Sequence, residues 1–301
     1  MTFSLAKKNA PPKRKKTAGQ WFFTLGWKHI VGIAVSIYAL FPILYILSTA
    51  LTESGDVNSG ALFTSFNLTN FIELFTGNDP DRPFVKWIGN TVLIASVVSV
   101  VSVFISAIAA YSFSRMRFRG RRMGLLSLIL IQMFPSILGL VAIYGILSEL
   151  TKYFPLLGLN SVWGLILVYL GGSLGGGTYL MYGFFNTVPI ELDEAAKLDG
   201  ATHTQIFFKI ILRLVAPILS VMALLSFIGT SSDFILASIA LSKPDQYTLA
   251  VGLGLFIDQP YSKNWAMFCA GAVIAATPVV ILFISLQRYI VSGLTGGAVK
   301  G

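Results

Sequence analysis

The chain has 301 residues, 55% of them hydrophobic and only 12% charged, with a mean hydropathy of +0.76; soluble globular domains carry roughly 25% charged residues, so water is not the main solvent here. A single cysteine, Cys269, excludes an intrachain disulfide and any cysteine-built redox or metal centre, and reads as span lining. The net charge of +9 lies in basic blocks beside apolar runs, with no nucleic-acid recognition module; that pattern encodes membrane topology and excludes nucleic acid as the partner.

In chain order, residues 1–28 are rich in Lys, Pro and polar residues, which predicts a disordered segment along the anionic cytoplasmic leaflet. A span needs about 20 apolar residues. Six segments meet this requirement: 29–51, 87–114, 123–148, 161–185, 214–241 and 265–290. The first follows Lys13-Arg14-Lys15-Lys16, but it is too long for a signal peptide and lacks a small-residue cleavage site. With the N-terminus inside, 17 of the 22 Lys and Arg face the cytoplasm, while eight of the thirteen acids lie outside. That asymmetry predicts an all-α polytopic membrane protein of about six transmembrane helices with both termini cytoplasmic.

Pro42, Pro135, Pro217 and Pro278 fall within or at the start of spans. Each removes a backbone donor and either kinks its helix or has the freed carbonyl satisfied by a neighbour. The fourth span holds a run of five glycines within residues 171–177, read either as close helix packing or as a flexible, pathway-lining segment. Tyr169 and Tyr182 read as packing or lining. His29 and His203 stand isolated, as surface residues rather than ligands or bases.

Residues 186–213 form the most informative loop. Pro189 suits a first helical turn, Glu191, Asp193 and Glu194 suit the positive end of a helix dipole, and Gly200 suits a left-handed stop. Thr202 and Gln205 match a capping box, and Ile206, Phe207, Ile210, Ile211 and Leu214 give the next helix one apolar face. An amphipathic hairpin resting on the membrane explains that face. It does not explain the small Ala195-Ala196 knob beside acids, which fits a protein cleft better than lipid. In the fifth span, Asp233 is an intramembrane acid and so a functional candidate; it is expected near the outer surface, hydrogen-bonded to Ser231 or Ser232. No GxxxxGK[ST] phosphate loop occurs, so nucleotide handling falls to a partner and the chain itself is no enzyme.

Glu194-Ala195-Ala196, Asp199-Gly200-Ala201 and Ile210-Ile211-Leu212 resemble the EAA loop of permease subunits in binding-protein-dependent ABC importers, with Arg213 where that family usually has Pro. The likeness runs over roughly residues 85–301, through 111–118, 132–135, 247–252 and 293–301, and within the family is to the G-type subunits of maltose/maltodextrin permeases. It implies the type I importer permease fold: a six-span domain over 29–290 with a coupling loop at 186–213, an outer loop at 242–264 and a cytoplasmic tail at 291–301. It implies a second permease subunit, two ATP-binding subunits carrying ATP and Mg, and an extracytoplasmic sugar-binding protein, in the bacterial inner membrane. Implied ATPase-docking residues are Glu194, Ala195, Ala196, Asp199 and Gly200; Gly296, Gly297 and Lys300 are implied tail contacts. Phe256, Asp258, Gln259, Pro260 and Tyr261 are implied contacts to the binding protein, against a plain solvated turn. The competing class is a proton-coupled secondary transporter resting on Asp233; a membrane enzyme or channel has no His or Cys cluster behind it.

Overall fold

The computed structural model describes residues 19, 22–52, 62–77, 79–258 and 263–296, the last six by backbone alone. Among these residues all regular structure is helical. A π-helical turn at Phe22–Gly26 leads into α1 (Trp27–Ala50), followed by α2 (Thr69–Thr76), α3 (Phe84–Arg115), α4 (Arg121–Gln132) and α5 (Leu140–Tyr153). Next come α6 (Val162–Gly171), α7 (Gly176–Phe185), α8 (Glu191–Leu198) and α9 (His203–Leu214, with a π segment at Ile206–Ile211). The chain continues through α10 (Ala216–Ser232), α11 (Ile235–Ala240), α12 (Leu249–Gly254) and α13 (Trp265–Gly296).

Four helices are long and apolar enough to cross a membrane: Phe22–Ala50, Phe84–Arg115, Ser136–Tyr153 and Trp265–Ile290. Two bent pairs, α6 with α7 (52°) and α9 with α10 (78°), raise the number to six. The expected third and fifth spans differ from the observed helices. The run 123–148 is interrupted at Met133–Pro135, where Pro135 supplies no N–H, and the crossing helix starts at Ser136 rather than Met123. The run 214–241 stops at Ser232, because Asp233 turns extended and opens α11. Of the four prolines, Pro135 and Pro217 mark breaks, whereas Pro42 and Pro278 lie inside continuous helices. The sixth helix also continues past residue 290 to Gly296, into the segment expected to be tail.

The helix α3 is the central post, packed by α10, α6, α7 and α12, while α13 bridges α10 to α1 and α2. Its serines allow close approach and reach across to neighbours: Ser102 Oγ meets Ser226 Oγ at 3.1 Å, Ser106 Oγ donates to Ser173 O at 2.8 Å, and Ser114 Oγ donates to Asn186 Oδ1 at 2.7 Å. Lipid tails offer no hydrophobic driving force between helices, so small residues and such bonds, each about 1 kcal/mol, hold the bundle. The end of α1 is capped from α2, where Asn70 Nδ2 donates to the carbonyls of Ala50 and Thr52. Most of α1 exposes Ile, Val, Leu and Phe, a surface suited to lipid or a membrane partner.

Candidate functional site

The elbow between α7 and α10 is built by its own sequence. Glu191, Asp193 and Glu194 occupy the first turn of α8. At its end Gly200 takes φ +80°, which the absence of a Cβ permits. Gly200 N–H donates to Lys197 O (3.0 Å) and Ala201 N–H to Ala196 O (2.9 Å), the two bonds of a Schellman stop. Thr202 then caps α9 reciprocally with Gln205, as the spacing predicts. Beyond it, Ile206, Phe207 and Ile211 are buried against Tyr111 and Phe185 of α3 and α7. The chain then bends 78° at Val215, with Pro217 in the first turn of α10 and Arg213 exposed.

One ion pair fastens this elbow to the bundle. Arg115, last residue of α3, places Nε 2.9 Å from Asp193 Oδ2, with the two side chains 6% and 4% exposed, and donates from Nη2 to Val188 O at 2.7 Å. Asp193 thus turns inward instead of serving the solvated helix start. His203 is exposed, as expected, and its Nδ1 lies 3.3 Å from Tyr111 Oη. Glu194, Ala195, Asp199 and Gly200 are all exposed, but Ala196 packs into the chain's own core. Leu198, which the sequence reading passed over, stands 91% exposed beside them. In the sequence it is a lone leucine between Lys197 and Asp199, and the fraction exposed is visible only in the fold.

At the other end of α3 the segment 241–258 is not a plain loop. Trp87 Nε1 donates to Pro244 O at 2.7 Å, Asn90 Nδ2 donates to Asp245 O and Tyr247 O, and Leu249 N–H donates to Thr91 Oγ1. Gly252 lets the Trp87 indole lie against the backbone of α12, since a Cβ there would fall 2.2 Å from the ring. Phe256 is buried against Trp87, ring centroids 6.4 Å apart, with Arg82 above its face at 5.1 Å, so it anchors the segment while Asp258 is exposed. Gln259, Pro260, Tyr261, Gly297 and Lys300 lie outside the described residues; Gly296 is the last residue of α13.

A third feature escaped the sequence reading. Between α3, the α6–α7 break and α10 lies a cavity of about 450 Å³, lined by Ser102, Ser106, Ser173, Ser226, Thr230 and Asp233, with Tyr169 among its walls. Gly177 lets α7 approach α3 and α10 here, its Cβ position lying 3.1 Å from Ser106 Oγ and 3.2 Å from Met222 Cε, so the glycine run serves both packing and the bend. Asp233 does not bond Ser231 or Ser232: those hydroxyls donate back to the Ile228 carbonyl of their own helix, and Asp233 Oδ1 instead accepts the Leu236 N–H at 3.0 Å. Among the described residues no group of three or more His, Cys, Asp or Glu is arranged to hold a metal.

Residues 102–296 match the family model described as binding-protein-dependent transport system inner membrane component. The chain is 40% identical over 267 residues to the maltodextrin transport system permease protein MdxG of Bacillus subtilis (strain 168), covering 89% of this chain and 93% of that one. It is 39% identical over 285 residues to the maltose/maltodextrin transport system permease protein MalG of Vibrio vulnificus (strain YJ016), covering 91% and 95%. Its fold matches a chain of a bacterial ABC transporter involved in the import of the acidic polysaccharide alginate, with a TM-score of 0.71 at 23% identity over 91% of this chain and 99% of that one.

Proposed function

The chain belongs to the family of binding-protein-dependent transport system inner membrane components, and from that premise we propose that it forms half of the translocation pathway of an ATP-driven importer of maltodextrin-like oligosaccharides. Likeness to two maltodextrin permeases over about nine-tenths of the chain supports the solute class. The observation that carries the mechanism is the elbow: it is stopped by Gly200, capped by Thr202, and tied to α3 through Arg115 and Asp193.

In this reading a second permease completes the pathway, and two ATP-binding subunits carrying ATP and Mg dock on Glu194, Ala195, Asp199 and Gly200, with Ala196 supporting them from beneath. Approach of the ATPases on ATP binding shifts the elbow, and the shift passes into α3 through the ion pair and into α10 through the bend at Val215, biasing inward and outward openings. The tail residues Gly296, Gly297 and Lys300 reach the ATPases, and an extracytoplasmic binding protein meets Asp258, Gln259, Pro260 and Tyr261, with Phe256 holding their base. The membrane is the bacterial inner membrane. Proton coupling has no support: Asp233 is the single acid lining its cavity among the described residues, and a relay needs a second.

Glu194→Lys reverses the charge of the docking face, and Gly200→Leu forbids the left-handed stop. Both should abolish ATP-dependent uptake while the chain still inserts and assembles. Unchanged transport in both variants refutes the docking assignment, and uptake that survives vanadate but not a protonophore refutes the importer itself.

A further inference from the structure

The cavity beside Asp233 has the chemistry of a ligand site rather than a packing fault. Its volume of about 450 Å³ falls within the range of about 300–1,000 Å³ typical of small-molecule sites. Of its wall hydroxyls, Ser173 Oγ is buried without a hydrogen-bond partner among the described residues, whereas Tyr169 Oη faces the Asp233 carboxylate. A buried hydroxyl left unpaired is costly and rare, and a hydroxylated ligand would satisfy it. Asp233 commits Oδ1 to the Leu236 N–H, and its carboxylate, beside Tyr169, is the one charged acceptor on the cavity wall among the described residues.

Asp233, Tyr169, Gly172 and Gly229 also border an adjoining space of about 980 Å³ whose other walls include Ile137, Leu140, Ile143 and Leu236. A hydroxyl-rich wall therefore meets an apolar one across a carboxylate. A pyranose ring has the matching profile, with an edge of hydroxyls and faces of C–H groups. No Lys, Arg or His lines either space among the described residues, and the only formal charge is negative. In a water-poor interior that charge repels a second carboxylate strongly.

We propose that this chain itself contacts the solute in transit, through a subsite for a neutral glycosyl unit formed by Tyr169, Ser173, the serines of α3 and α10, and Asp233 as acceptor of a hydroxyl pair, and that the same carboxylate excludes acidic sugars. The inference rests on the importer reading. It separates this chain from the alginate importer whose fold it shares, named for an acidic polysaccharide.

The test uses the complete importer, purified with its ATPases and second permease, in a Cys269→Ala background carrying Ser226→Cys. Labelling of the new thiol by a methanethiosulfonate reagent is measured without the binding protein, so that its own preference does not enter, with maltotriose or a trimeric uronate at equal concentration. Maltotriose should slow labelling and the uronate should not. Asp233→Asn keeps the acceptor for the Leu236 cap but loses the charge; it should raise the maltotriose concentration needed for protection about tenfold, the usual weight of a charged acceptor. Thr230→Cys gives a second readout should Ser226→Cys fail to assemble. Equal protection by both sugars, or none by maltotriose while the parent complex imports it, overturns the subsite and leaves the importer reading intact. Failure of the parent complex to import any neutral oligosaccharide overturns both.

Discussion

Arg115 and Asp193 lie 2.9 Å apart with almost no solvent contact, so each depends on the other far more than a surface pair would. Removing one partner strands a buried charge, at a cost of about 3–5 kcal/mol. Asp193→Ala should therefore release the elbow locally, raising the rate of tryptic cleavage at the exposed Lys197 by about a hundredfold in the detergent-purified chain. The paired replacement Arg115→Met with Asp193→Leu strands no charge and should recover most of the protection. If single and double variants are cut alike, the pair is not what holds the elbow. Asp193 also shows where sequence reasoning stops. Three acids in a first turn read equally as dipole partners, and nothing in their spacing says which will find an arginine 78 positions earlier.

Helix ends were more legible than helix interiors. Thr202 with Gln205 and the stop at Gly200 were readable because caps are local chemistry, settled within four residues. The breaks at Met133–Pro135 and at Asp233 were not, because the apolar runs continue across them and a hydropathy window does not register a turn. Nor does a helix that is apolar on all sides show which face meets a neighbour. The glycines on either side of that limit give a matched test. Gly252 has no room for a Cβ against the buried Trp87, whereas Gly89, two residues along α3 from that tryptophan, has nothing within 4 Å. Gly252→Ala should destabilise the chain by about 1–3 kcal/mol through overpacking and loosen the Trp87 bond to Pro244. Gly89→Ala should be neutral or stabilising by up to about 1 kcal/mol, since alanine is the better helix former. Thermal unfolding in detergent, followed by tryptophan fluorescence, distinguishes the two; equal midpoints would mean that α12 does not press on α3.

The two features that meet other proteins in this reading lie at opposite ends of one helix: the elbow is fastened at Arg115, and the segment 241–258 is clamped near Trp87. Because α3 is a continuous 32-residue helix, about 48 Å at 1.5 Å per residue, these ends fall on opposite sides of a hydrocarbon core of about 30 Å. Orientation therefore fixes both surfaces at once, and the charge asymmetry read from the sequence, 17 of 22 Lys and Arg on the side expected to be cytoplasmic, predicts it. In a Cys269→Ser background, cysteines placed at Arg117 and Lys197 should react with an impermeant thiol reagent only when the cytoplasmic face is opened, and cysteines at Lys152 and Asp245 from outside in intact cells. Labelling of Lys197→Cys from outside would place the elbow away from every ATP-binding partner. Cytoplasmic labelling at Arg117 and Lys197 with external labelling at Lys152 and Asp245 would put the elbow and the segment 241–258 on opposite faces of the membrane, joined by the one continuous helix α3.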